Sequence, residues 1–116
     1  GKNIHNQYDP ELIAHACRIG AEMGVDIIKT NYTGDQDTFR DVVKGCPVPI
    51  IIAGGMKTAS DKELLDKIKG AIESGACGVA VGRNVFMHDN PPTMVRRICG
   101  VVHEGLTPAE ALKQYR

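Results

Sequence analysis

A lysine closes the apolar run VDIIKT at residues 25–30. Side chains of a strand alternate between its two faces, so Val25, Ile27 and Lys29 share one face and Asp26 and Ile28 the other. A lysine on the face of Val25 and Ile27 points toward a core. An unpaired ammonium there is costly, and the group tends to shed its proton instead. A neutral amine is what attack on a carbonyl requires. Lys29 is therefore a candidate Schiff-base nucleophile at the carboxyl end of a parallel strand. The alternative is a lysine that lays its stem on apolar surface and holds its head in water. Thr30, Asn31, Tyr32 and Asp35 follow directly. Tyr32 can donate or orient a proton, or cap a rim as an amphipathic side chain. Asp26, on the opposite parity, is expected outside against a helix surface.

Two glycine corners form the second candidate. Gly54 and Gly55 end the run PIIIAGG (49–55), and Gly82 ends CGVAVG (77–82), followed by Arg83 and Asn84. Glycine lets a phosphate approach backbone N–H groups closely, and an arginine adds a bidentate donor. Lys57 is a weaker second cation. The same glycines could equally relieve crowding at tight turns, which is the preferred reading for Gly45 and Gly75. GGMKTAS lacks the G-K-[ST] ending of a P-loop, and no G-x-G-x-x-G occurs. His103 opens H-E-G and not H-E-x-x-H, which excludes a zincin. His15 is expected on a helix surface, Asp89 beside His88 as a helix cap, and Ser60 as a cap too.

These residues need a frame. Asp9 and Pro10 open a helix with Leu12, Ile13, Ala16, Cys17, Ile19 and Met23 as its stripe, and Gly24 stops it. A strand at 25–30, a loop at 31–37 and a short helix at 38–45 follow. The nearly continuous apolar run at 49–55 reads as a strand covered on both faces. Ser60 and Glu63 form a capping box for a helix through Ser74. A strand at 77–82 and a helical turn within 83–89 come next. A helix then opens at Asn90 and Pro91, and a last one at the Thr107–Glu110 capping box. Strands alternating with helices through short connections predict an α/β fold with a parallel sheet and right-handed crossovers. Three strands alone leave two open edges. They form either a small open sandwich or the last three strands of a closed barrel. The strand ends K-T-N, A-G-G and V-G-R-N are polar or glycine-rich, where a barrel places its active site.

Composition narrows the function classes. The 116 residues suffice for one domain core. Lys plus Arg and Asp plus Glu are 14 each, so charge offers no reason to expect nucleic acid or an anionic membrane as partner. No run approaches the length of a membrane span, and none reads as a signal peptide. Cys17, Cys46, Cys77 and Cys99 form no CxxC pair and stand at no metal-ligand spacing from histidine. They are expected as buried or half-buried thiols in a reducing, cytoplasmic compartment. The chain begins at Gly1 in the polar run GKNIHNQYDP, with nothing to supply a strand before the first helix, and a piece of a longer chain is expected.

DIIKTNYTGD (26–35), CPVPIIIAGG (46–55) and GVAVGRNVF (78–86) together resemble the archaeal-type class I, Schiff-base fructose-bisphosphate aldolases. Their relatives include the 2-amino-3,7-dideoxy-D-threo-hept-6-ulosonate synthases, which run a related transaldol reaction, and the autoinducer-processing thiolases. The resemblance spans residues 1–116 but only the second half of the family's TIM (β/α)8 barrel. It implies a partial barrel, with strands six to eight and the C-terminal part of one aldolase domain. It implies Lys29 as Schiff-base lysine, and Gly54, Gly55, Gly82 and Arg83 around the phosphate of a sugar-phosphate substrate. No metal or other cofactor is implied, and a homo-oligomer is. The NYTGD loop (31–35) favours the aldolase and synthase branches over the thiolases, and CPVP leans toward the synthases. The family's acid/base tyrosine would fall just before Gly1 and its aspartate far upstream; neither Tyr8 nor Tyr32 matches the former. Tyr8 reads as structural. Two rivals stand beside this reading: a sugar-phosphate enzyme on the same barrel without a covalent lysine, and a non-catalytic half-barrel that self-associates.

Overall fold

A computed structural model describes residues 6–116. In chain order the elements are α1 (Pro10–Glu22), β1 (Ile28–Thr30), α2 (Gln36–Lys44), β2 (Ile50–Ala53), α3 (Asp61–Glu73), β3 (Gly78–Ala80), α4 (Arg83–Phe86), α5 (Pro91–His103) and α6 (Pro108–Gln114). The helix starts follow from capping chemistry. Asp9 accepts from the N–H of Glu11, and Asn90 from that of Thr93. Thr107 and Glu110 form a reciprocal box. At α3 Ser60 accepts from Glu63 N–H, but the Glu63 carboxylate turns to the N–H of Ala59, so the expected box is only half closed. Helix α2 starts earlier than expected, because Asp35 accepts from Thr38 N–H and so becomes its N-cap.

The strands pair in parallel in the order β1-β2-β3, with Lys29 opposite Ile51, Ile51 opposite Gly78 and Ala53 opposite Ala80. Sequential order with crossovers of one hand puts the connecting helices on one side of the sheet, as in a barrel wall; a doubly wound sheet covers both sides. The core lies on that side: Ile50 and Ile52 of β2 are buried with Phe39, Leu64, Leu65, Ile68, Met94 and Val101. Helix α1 packs on β1 and α2, and α3 on β3, α5 and α6.

The opposite face differs from expectation. Ile51 and Ala53 are only half-buried, so β2 is covered on one face and not both. The strand pairing of β1 begins at Ile28, whose N–H donates to the Pro49 carbonyl. Val25 and Ile27, before that point on the sheet edge, are 40% and 58% exposed. Lys29 is exposed too, so the described residues do not supply the burial expected around it. Asp26 is also exposed. Of the cysteines, Cys17 is buried and Cys46 half-buried, whereas Cys77 and Cys99 are exposed, against expectation. Among the described residues no helix is long and apolar enough to cross a membrane.

Candidate active site

Parallel register carries the open face upward from Lys29. Partners across a ladder share a face, and so do positions two apart. Asn31, Ala53 and Ala80 therefore stand one layer above Lys29, toward the carboxyl ends, and the strands then break into the glycine corners. All of them line one cavity of about 530 Å³, which holds Lys29, Gly54, Gly55, Gly82 and Arg83 together. Five positions up to 54 residues apart in sequence thus meet at one end of the sheet. The alanines at 53 and 80 leave free volume over the lysine. Among the described residues no carboxylate lines the cavity, while two cations do.

The glycines play different parts. Gly54 is buried and its N–H donates to the Ala80 carbonyl at 3.0 Å, so that donor is spent on holding β2 to β3. A Cβ there would stand 3.2 Å from the Val81 Cα, so a side chain would push the two strand ends apart. The Gly54 carbonyl accepts from Lys67 Nζ at 3.1 Å. Carbonyl and N–H of a trans peptide point opposite ways, so the N–H of Gly55 is aimed away from Lys67. Burial pushes the Lys67 ammonium below its ordinary range, against the pull of Glu63. Gly55 has φ +74°, a conformation L side chains rarely adopt. At Gly82 a Cβ would meet the Phe86 ring at 3.2 Å. The Gly55 and Gly82 N–H groups have no backbone partner among the described residues.

Other expectations resolve differently. Tyr32 lies among the helices, 6% exposed, with its ring edge-on to Phe39 at 5.1 Å. Burial raises its phenol above the usual range, and it packs away from Lys29. The Lys57 ammonium donates to the Met87 carbonyl at 2.9 Å and so bridges two loops. His15 is exposed. His88 Nε2 meets Asp61 at 2.8 Å, and its Nδ1 accepts from Asn90 N–H, so Asn90, not Asp89, caps α5. A larger cleft, about 970 Å³, opens elsewhere and is lined by Asp35, Asp37, Glu63 and Asp66; its charge is wrong for a phosphate. Tyr8, expected to be structural, lines both the cavity beside Lys29 and the larger cleft. Asn31 Nδ2 donates to the Gln7 carbonyl at 3.3 Å, which brings that segment over the end of β1. No local pattern signals such a contact, which spans 24 residues.

Residues 1–88 match the DeoC/LacD family aldolase model. The chain is 42% identical over 107 residues to a 2-amino-3,7-dideoxy-D-threo-hept-6-ulosonate synthase of Halobacterium salinarum, covering 92% of this chain and 40% of that protein. It is 39% identical over 113 residues to the class 1 fructose-bisphosphate aldolase of Thermoproteus tenax, covering 97% and 43%. A solved archaeal fructose-1,6-bisphosphate aldolase, whose catalytic lysine is covalently bound to the carbinolamine intermediate of the substrate, superposes with TM-score 0.83 at 39% identity, covering 86% of this chain and 40% of that one. The chain thus spans about two fifths of the length of the curated relatives it matches.

Proposed function

The chain belongs to the DeoC/LacD family of aldolases, and from that premise we propose that it carries the Schiff-base and phosphate-binding part of a class I aldolase acting on a phosphorylated ketose. The observation that carries this reading is the cavity that Lys29 and Arg83 line together with the Gly55 and Gly82 corners, with no carboxylate among the described residues that line it. Its strands stand as strands six to eight of a barrel domain.

The Lys29 amine, its ammonium proton given up to a base, adds to the substrate ketone; a proton returned to the carbinolamine oxygen lets that oxygen leave as water and gives an iminium. A base removes the proton of the hydroxyl beside the scissile bond. The carbon–carbon pair then flows to the iminium nitrogen, releasing an aldehyde and leaving an enamine. The enamine carbon takes a proton, and water frees the ketose fragment and the lysine. Arg83 and the N–H groups of Gly55 and Gly82 hold the phosphate and so position the carbonyl at Lys29. Gly54 contributes by letting the strand ends meet. No step calls on a metal or nucleotide.

The identity to the Halobacterium synthase supports a second reading, a transaldol-type synthase that uses the same imine on a different acceptor. Borohydride reduction in the presence of fructose 1,6-bisphosphate or dihydroxyacetone phosphate tests the shared step. A mass increase mapping to Lys29 is expected. An adduct on another lysine, or none with either ketose or with the synthase substrates, would overturn the covalent role.

A further inference from the structure

The two glycine corners belong to different loops, after β2 and after β3, and the spacing between them decides whether both can grip one phosphate. Asn84 bridges them. It is 4% exposed, and its Oδ1 accepts from the Thr58 N–H at 2.8 Å while its Nδ2 donates to the Met56 carbonyl at 3.1 Å. The amide can stand only this way round, because a backbone N–H demands the oxygen and a backbone carbonyl demands the NH₂. One side chain next to Arg83 thus grasps both a donor and an acceptor of the segment that follows Gly55. The Thr58 hydroxyl has a single hydrogen shared between the Ser60 carbonyl at 2.8 Å and Asn84 Oδ1 at 3.1 Å, so the same amide oxygen also meets the side chain of the segment it holds. A buried amide whose bonds go to another loop would leave unpaired backbone groups if removed.

Resting on the phosphate site proposed above, we infer that Asn84 is a positioning residue. It does not touch the phosphate but sets the distance between the Gly55 corner and the Gly82–Arg83 corner. Titration of the protein with inorganic phosphate, followed through the backbone amide signals of Gly55 and Gly82, tests this. In the parent chain both signals should move along one saturation curve. In Asn84→Ala, and in Asn84→Leu, which fills similar volume without either bond, the amides of Ile52 and Val79 should keep their positions. The phosphate dissociation constant should rise about tenfold or more, and the Gly55 signal should stop following that of Gly82. An unchanged constant in a folded variant overturns the inference but leaves the phosphate site standing. Absence of phosphate binding in the parent chain removes the site and the inference with it. A measurement without substitution covers the case in which neither variant folds. Phosphate at ten times its dissociation constant should slow hydrogen exchange of the Thr58 amide about tenfold, since binding selects the bridged state. Unchanged exchange there also overturns it.

Discussion

At the scale of single residues, chemistry depends on what each group has left to give. The Gly54 donor is committed to Ala80, so of the expected phosphate ligands it is Gly55, Gly82 and Arg83 that retain capacity. A hydrogen bond to a charged group is worth roughly 1.5–3 kcal/mol. Arg83→Ala should therefore weaken binding of a phosphorylated ketose about ten- to a hundredfold, with little loss for an unphosphorylated analogue; calorimetric titration of the two ligands checks this. Lys29→Met should abolish the borohydride-trapped adduct and leave the far-ultraviolet circular dichroism intact, since Lys29 is exposed and outside the core. The candidacy of Lys29 was legible from its place at the end of an apolar strand. Its surroundings were not, because strand parity says that two side chains share a face and nothing about what covers it.

At the scale of elements, helix ends were the most readable feature, since a cap is a local bond between residues two or three apart. Asp9, Ser60, Asn90 and Thr107 all cap as their types predict. The Glu110 carboxylate accepts from the N–H of Thr107, and the Glu110 N–H donates to the Thr107 hydroxyl oxygen. The Thr107 backbone bond, and next its side chain, hold the Glu110 carboxyl below the usual range. A depressed folded value means that this cap stabilises above the ordinary carboxylate range and is lost as pH falls through the lowered value. The difference in melting temperature between the parent and Glu110→Gln should accordingly shrink between pH 6 and roughly pH 3. Gly70 shows where local logic fails. Glycine inside a helix costs up to about 1 kcal/mol against alanine, so Gly70→Ala ought to stabilise. A Cβ there would stand 2.6 Å from the Tyr32 hydroxyl and 3.2 Å from its ring carbon, and that ring is held edge-on against Phe39. Overpacking of this kind costs roughly 1–3 kcal/mol and outweighs the propensity gain. Urea unfolding should show net destabilisation.

At the scale of the whole molecule, three parallel strands carry helices on one side and leave the other side and both edges unpaired among the described residues. Such edges template association with further strands. The 116-residue chain by itself should therefore sediment with a concentration-dependent mass. Ile27→Lys, which charges the exposed approach to β1, should shift the distribution toward the monomer. Sedimentation velocity at several concentrations checks both, and a concentration-independent monomer for the parent chain would contradict the expectation. Asp61 links the layers on the covered side: it accepts from His88 Nε2 at 2.8 Å and Arg97 at 2.6 Å, while Arg97 also donates to the Tyr115 carbonyl. The helix after β2, the loop after β3 and the chain end are thereby locked together behind the site.

The amino-acid sequence by itself determined the α/β order, the parallel sheet, nearly every helix start and the candidacy of Lys29, Gly54, Gly55, Gly82 and Arg83. Each of these rests on short-range rules: periodicity, caps, β-branched runs and glycine corners. Only the tertiary structure decided that these five residues share one cavity, that Tyr32 is a packing residue, that Tyr8 stands near Lys29, and that Asn84 spans the two corners. Those outcomes depend on strand register and on contacts such as Thr58–Asn84, 26 residues apart, and Asn31–Gln7. No local pattern encodes a pairing across that distance, because what selects it is the packing of helices over the sheet and not the preference of either segment.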